Sequence, residues 1–317
     1  MDKRFLVLLA AMIVIAGCSG NDNTAATTKQ KPFIGGSEGV TMAFISGNPP
    51  GEVFDSATYP FDVTLKLENV GEFNVPADQM RVKITGISPA DFGVNAADLN
   101  KPAPENLDSA SIDPQGEIIK GTATYLNFPG LKFMETLPGN TPFNVYATSC
   151  YTYGTTGQAM LCMREDVLNE KDVGCKVNEK KTTYSSGSPV QVTSFEEAPA
   201  GSDKVTFSFM VEHRGTGKVS LHGSSCNAAD ERVNDKKVFV DVSTGNDLSS
   251  GLTCSGLQGG TATSGYITLY ENEKRQVRCT QSNVPGQVGD FEKRVTINLL
   301  FDYEQSVSTP LLVKHST

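Results

Sequence analysis

Tryptophan is absent and histidine occurs three times, as His213, His222 and His315. Without indole rings the chain lacks the large stacking surfaces on which sugar-binding sites commonly lean. No Cys-x-x-Cys pair occurs and the histidines are scattered, so a structural zinc site has no ligand framework and no metal is expected. No serine sits in a Gly-x-Ser-x-Gly elbow, and no glycine-rich loop follows a strand to open a helix. No Asn-x-Ser/Thr acceptor is present, so N-glycosylation is not expected. Acidic residues outnumber basic ones by 36 to 27, and the net charge of −9 is dispersed. A basic stripe, the footprint of a nucleic-acid binder, is therefore missing. Beyond Cys18 no stretch is long and apolar enough to cross a bilayer, which takes about 20 residues. No cofactor is expected.

What is present begins at the N-terminus. Met1-Asp2-Lys3-Arg4 is followed by an apolar run over 5–15 and then Ala16-Gly17-Cys18. A short basic start, an apolar stretch too short to span a membrane, and small residues before a cut site make a secretory signal over 1–17. Ile15-Ala16-Gly17-Cys18 resembles the prokaryotic lipobox. That resemblance implies diacylglycerol on the Cys18 thiol, cleavage before it, and a protein held on the membrane facing the periplasm or the cell exterior. The alternative is an ordinary cleaved signal whose Cys18 pairs with another cysteine. Residues 18–37 are Ser, Gly, Asn, Thr, Ala, Lys and Gln with hardly an apolar side chain. Such composition cannot offset its ordering entropy, and a flexible tether is expected there.

Cysteine parity supports the same reading. The seven are Cys18, Cys150, Cys162, Cys175, Cys226, Cys254 and Cys279, an odd number for an exported chain. Assigning Cys18 to lipid leaves six, enough for three disulfides in an oxidising compartment.

The remainder alternates with period two. Phe61, Val63, Leu65 and Leu67 interleave with Asp62, Thr64, Lys66 and Glu68, and similar runs begin at Val205, Val238 and Val295. Turn clusters such as Gly47-Asn48-Pro49-Pro50-Gly51 separate them, and helical periodicity is confined to short pieces near 94–99 and 163–170. This is the pattern of an all-β sandwich. The chain also resembles itself. Leu65-Lys66-Leu67-Glu68-Asn69-Val70-Gly71 lies over Phe209-Met210-Val211-Glu212-His213-Arg214-Gly215, and 145–153 lies over 295–303 with tyrosine at both ends. The offset is 150 at the first and last strands and 144 at the second, so an insertion near 53–60 is expected. A duplicated domain follows, with domain one at 38–176, a linker at 177–187 and domain two at 188–317.

The run from Phe61 to Gly71, an alternating strand ending in Asn-x-Gly, resembles the second strand of CARDB-like and related immunoglobulin-like modules of prokaryotic surface proteins. The resemblance implies two tandem immunoglobulin-like β-sandwich domains, used for adhesion or spacing, without a catalytic centre of their own. In the second copy His213 stands at the asparagine position, where a turn role is expected.

Cys150 and Cys162 flank what the repeat places as a terminal hairpin, so a bond between them is expected. Cys254 and Cys279 bracket the middle strands of domain two and form the second pair; Cys175 and Cys226 remain for the third. His222-Gly223-Ser224-Ser225-Cys226 brings a histidine near a serine and a cysteine, yet the disulfide count claims Cys226 and no catalysis is expected there. The oxygen-rich stretch from Asp241 to Asp247 lacks the spacing and terminal Glu of an EF-hand and reads as a hydrated turn. Glu196-Glu197 and Asp230-Glu231 read as solvated loop charges, and Tyr146, Tyr151 and Tyr153 as edge or core aromatics that could also form a small patch.

Together these features indicate a membrane-anchored, non-enzymatic envelope lipoprotein that bridges or presents an interaction surface to other envelope or surface proteins. Ligand binding in an inter-domain cleft, or service as an accessory subunit of a secretion or filament machine, are the alternatives. A Cys18→Ser variant is expected to lose hydrophobic partitioning and accumulate as soluble or uncleaved protein while all three disulfides persist. Membrane retention after verified signal cleavage would overturn the lipid anchor.

Overall fold

Alternation along the chain is realised as strands whose apolar residues point one way. In the first of the long ones, every second side chain from Phe61 to Asn69 is buried and the intervening ones are half exposed. In the computed structural model, residues 31–168, 174–226, 231–270, 273–283 and 289–315 are described. The first half holds β1 (Val40–Phe44), β2 (Glu52–Phe54), β3 (Phe61–Asn69), β4 (Met80–Thr85), β5 (Asn100–Pro102), β6 (Ser111–Ile112), β7 (Ile118–Ile119), β8 (Ala123–Leu131) and β9 (Thr141–Met163). The second holds β10 (Glu179–Lys181), β11 (Tyr184–Ser185), β12 (Val190–Pro199), β13 (Lys204–His213), β14 (Lys218–Ser220), β15 (Lys237–Ser243), β16 (Leu252–Ser255), β17 (Ser264–Thr268), β18 (Lys274–Ser282) and β19 (Phe291–Lys314). The fold is all-β. The stretch near 94–99 forms turns, closed by Asn95 and Asp98 exchanging hydrogen bonds, and the 163–170 piece begins with the last residue of β9 and runs partly beyond the described residues.

Three sheets carry the architecture. A small sheet of order β1-β3-β8 belongs to the first half and one of order β10-β12-β13-β18-β16 to the second. The third runs β17-β15-β19-β9-β4-β5, with β2, β11 and β14 attached, and takes strands from both halves. Its centre is the antiparallel pairing of β9 with β19, unbroken from Phe291↔Met163 to Val313↔Thr141.

The internal repeat is visible in the register. Val40 faces Asn69 across β1 and β3, and Val190 faces His213 across β12 and β13, reproducing offsets of 150 and 144. The carbonyl of Gly39 accepts from the N–H groups of Val70 and Gly71, at 2.9 and 3.2 Å. The carbonyl of Pro189 accepts from Arg214 and Gly215 in the same way, at 2.7 and 3.1 Å. Both turns require glycine for one reason: a Cβ on Gly71 would fall 2.2 Å from the Tyr153 hydroxyl, and one on Gly215 would fall 2.2 Å from that of Tyr303. The extra residues of the first copy form β2 and the turn around Asp55, and β2 pairs in parallel with the end of β19.

Because β9 and β19 are repeat equivalents that pair antiparallel, the copies are related by a local two-fold. Thr152 and Asp302, one repeat apart, are also cross-strand partners and mark the axis. The halves are thereby fused, and the chain from Lys31 onward clusters into one compact unit. Residues 177–187, expected as a linker, carry β10 on β12 and β11 on β9.

Two of the three expected disulfide pairs are corrected. Cys150 bonds Cys226, Cys162 bonds Cys175, and Cys254 bonds Cys279 as expected, with Cα separations of 5.9, 5.6 and 4.0 Å. The supposed terminal hairpin is instead the single strand β9. Residues twelve apart in a strand are separated by about 40 Å, far beyond the reach of a disulfide. Cys254 and Cys279 succeed because they are direct cross-strand neighbours on β16 and β18. Non-reducing peptide mapping is expected to recover Cys150–Cys226, Cys162–Cys175 and Cys254–Cys279; a Cys150–Cys162 peptide would contradict this topology.

Candidate functional site

The two-fold axis is where the copies contribute equivalent residues to one place, and it passes through the shared sheet with a site on either side. On the inner side lie Tyr151, Tyr153, Phe301 and Tyr303, all buried, with Tyr151 centred 5.8 Å from both Tyr153 and Tyr303. Their alternation with Cys150 and Thr152 was legible in sequence, but Tyr151 and Tyr153 form core and no surface patch, whereas Tyr146 is exposed. Burial raises the phenol pKa of Tyr151, Tyr153 and Tyr303, so all three stay neutral and use their hydroxyls as hydrogen-bond groups. Tyr151 both accepts from Val40 N–H at 3.2 Å and donates to its carbonyl at 3.3 Å. Tyr153 donates to Asn69 Oδ1 at 3.2 Å, and that same oxygen accepts from Gly71 N–H. Asn69 thus closes its turn, whereas His213 directs Nδ1 to Glu273 Oε2 and packs against Tyr303; the turn role does not transfer.

Between the two copies of this turn lies a cleft of about 460 Å³, lined by Gly39, Val70, Pro189, Arg214, Gly215 and Tyr303 among others. Arg214 is the cation here, and it is already engaged by Gln191 and Glu212.

On the outer side Asp302 is buried beneath the 221–226 loop. Oδ1 accepts from Thr152 Oγ1 at 2.8 Å and Gly223 N–H at 3.3 Å; Oδ2 accepts from Ser224 Oγ at 3.1 Å and Ser225 N–H at 2.7 Å. His222 Nδ1 lies 4.0 Å from Oδ1. With Asp78, Arg81 and the Cys150–Cys226 bond these groups line a cavity of about 260 Å³. A histidine, a serine and a carboxylate do meet, but in the wrong order for nucleophilic catalysis. Ser224 Oγ donates its hydrogen bond directly to Asp302 and His222 Nδ1 has no hydrogen-bond partner, so the serine–histidine–carboxylate chain of a triad is not formed among these groups. The carboxylate acts as an anchor for the loop, beside the disulfide.

The other sequence candidates are placed as follows. His315 Nδ1 lies 2.9 Å from the buried carboxylate of Asp55, which also accepts from Leu137 N–H. Asp247 is held by Lys293 Nζ at 2.6 and 2.7 Å, and that lysine lowers its pKa; the carboxylate a cation would need is engaged. Glu196 and Glu197 are not loop charges: they lie on β12, with Glu196 exposed at the surface and Glu197 buried. Cys18, Asp230 and the side chain of Glu231 lie outside the described residues. Sequence reading missed Asp302, which alternation places outward, because a distant loop covers it. It also missed Glu197, although its spacing from the buried Phe195 put it on the inner face.

One edge stands apart. In the second copy β18 is flanked by β16, but its equivalent in the first copy, β8, has no strand on its outer side among the described residues. Asn69 N–H bonds Thr122 O, so by alternation residues 123, 125 and 127 of β8 direct their backbone groups away from β3. Lys101 Nζ donates to Asn127 O from that outer side, at 2.9 Å. Tyr125 is exposed, as are Ile118 and Ile119 in the β6–β7 hairpin that leads into β8.

No protein-family model matches the sequence, and no curated protein matches it. Among solved structures, envelope protein VP37 from White Spot Syndrome Virus is similar over 48% of this chain and 97% of its own, at 10% identity and a TM-score of 0.25. The serine-rich repeat protein Srr2 from Streptococcus agalactiae aligns with 87% of this chain and 92% of its own, at 9% identity and a TM-score of 0.11. Neither likeness carries an argument about role.

An Asp302→Ala variant removes the acceptor of four hydrogen bonds, one from Thr152 and three from the 221–226 loop, and a lost bond to a charged group costs about 1.5–3 kcal/mol. The variant is expected to unfold at least 2 kcal/mol more easily, by denaturant titration, with faster hydrogen exchange at the Ser225 amide. An unchanged midpoint would show that the disulfide alone holds the loop.

Proposed function

We propose that this chain is an exported, lipid-anchored envelope protein that acts without catalysis, offering a strand edge of a doubled sandwich to another envelope or surface protein. The signal and lipobox supply the address, and the six cysteines of the folded part, joined in three bonds, suit an oxidising compartment. Each copy, with a small sheet over its share of the common one, fits the immunoglobulin-like reading of the Asn-x-Gly strand.

The observation that carries the reading is the outer edge of β8. A strand edge with unpaired N–H and C=O groups is a template for a further strand, and proteins usually cover such edges or guard them with lysine. The second copy covers its edge with β16 and bolts it there through Cys254–Cys279. The first copy has no strand on this edge among the described residues: Asn127, the equivalent of the β16-paired Arg278, is guarded by Lys101, and Ala123 and Tyr125 direct their backbone groups outward. An extended segment of a partner would add there antiparallel, as β16 does on β18. A second reading, ligand binding, rests on the inter-copy cleft. The continuous β9–β19 ladder holds its walls, so such a ligand would enter a preformed site without domain closure.

Proline at position 125 removes an outward N–H and no bond to β3. Photo-crosslinking from position 123 on intact cells is expected to capture a discrete protein, and Tyr125→Pro is expected to abolish capture while leaving all three disulfides intact. Equal capture by the proline variant would exclude the edge as the contact.

A further inference from the structure

Glu197 and Lys181 are buried together, with side-chain exposures of 0% and 6%. They lie on adjacent strands, diagonal to one another: Glu179 faces Glu197 and Lys181 faces Phe195. Lys181 Nζ is 3.4 Å from Glu197 Oε2, which also accepts from Cys162 N–H at 3.0 Å. Glu197 Oε1 is buried with no hydrogen-bond partner. On its other side Lys181 Nζ donates to Glu179 Oε1 at 2.7 Å, and Glu179 is half exposed. As an ion pair this arrangement is poor. Two desolvated charges repay their burial only when the remaining polar atoms are satisfied, and one carboxylate oxygen here is orphaned.

The arrangement suits a covalent alternative. We infer that Lys181 and Glu197 condense into a side-chain amide, an isopeptide bond, with Glu179 as the proton carrier. Glu179 takes a proton from the Lys181 ammonium through their existing hydrogen bond, leaving a neutral amine. The amine attacks Cδ of protonated Glu197 and the new C–N bond forms; as the C–O bond breaks the hydroxyl leaves as water with the proton that Glu179 returns, and Glu179 then takes the second proton from the new amide nitrogen and releases it to solvent. One amine and one carboxylic acid give one secondary amide and one water, with no oxidant or reductant. Burial raises the Glu197 pKa to about 7, so the protonated acid that the reaction needs is populated near neutrality. The 3.4 Å approach of Lys181 Nζ to Glu197 Oε2 sets the amine beside the carboxyl, and groups so held gain an effective molarity of about 10⁵ M or more where the attack geometry is met. The product keeps a carbonyl oxygen for Cys162 N–H and removes both buried charges. It would fasten the edge strand β10 to β12 just after the Cys162–Cys175 bond, where the chain passes from one copy to the next.

The test is mass spectrometry of the folded protein after denaturation and reduction. Digestion with trypsin is expected to leave the bond after Lys181 uncut and yield the single peptide 181–204, lighter by one water than its linear sequence and closed into a loop between Lys181 and Glu197. Glu179→Gln should fold with the same disulfides but be cleaved after Lys181, releasing the 182–204 peptide at its unmodified mass. Cleavage after Lys181 with recovery of an unmodified 182–204 peptide from folded wild-type protein would overturn the inference and leave a titrating ion pair. That outcome has its own signature. A carboxyl whose folded pKa lies above its unfolded value of 4.5 adds stability at low pH that is lost as pH rises through about 7. The amide would show no such loss, and neither would Glu197→Gln.

Discussion

The pairing of β9 with β19 is the constraint on which the rest of the molecule depends. Each strand is the last of its repeat, and each supplies one half of a ladder that runs without interruption from one end of the shared sheet to the other. The small sheets, the tyrosine cluster and the stapled 221–226 loop are all positioned against it. Isologous pairing is the geometry of a homodimer. Here it occurs within one chain, which removes the concentration dependence that a dimer would carry.

The two copies use the same devices with different details. Glycine is needed beside both tyrosine hydroxyls, and both turns hang from the carbonyl that precedes the first strand, Gly39 in one copy and Pro189 in the other. Thereafter they diverge. At the equivalent of Asn69, which satisfies a turn N–H and a tyrosine hydroxyl together, stands a histidine facing a glutamate. One copy adds β16 along 278–281 of its sheet edge and bolts it there; the other has no added strand on that edge among the described residues. Divergence of this kind in a duplicated module locates role better than shared features do, since the shared features are those the fold itself requires.

Much of this was legible in particular residues. The alternation from Phe61 to Leu67 gave strand and face together, because a side chain's direction in a strand depends only on its parity. The 150 and 144 offsets survived into the register because the insertion that separates them builds β2 and its turn without disturbing the flanking ladders. The disulfide pairs were less legible. The repeat alignment placed a hairpin between Cys150 and Cys162, the stretch that holds Gly154 and Gly157. They mark close approach instead: a Cβ at Gly154 would meet the Phe73 ring at 2.5 Å, and one at Gly157 would meet Val192 at 2.7 Å.

Local order therefore determined the class of structure and the pool of bonded cysteines, since strand parity and composition act over a few residues. Which cysteine meets which, which carboxylates are buried, and which edge stays open were decided only by tertiary structure. Asp302 is buried by a loop some 80 positions away, and Glu197 meets Lys181 only because β10 folds back onto β12. Such contacts depend on where distant segments come to rest, and that position is set by how two copies of one fold share a single sheet.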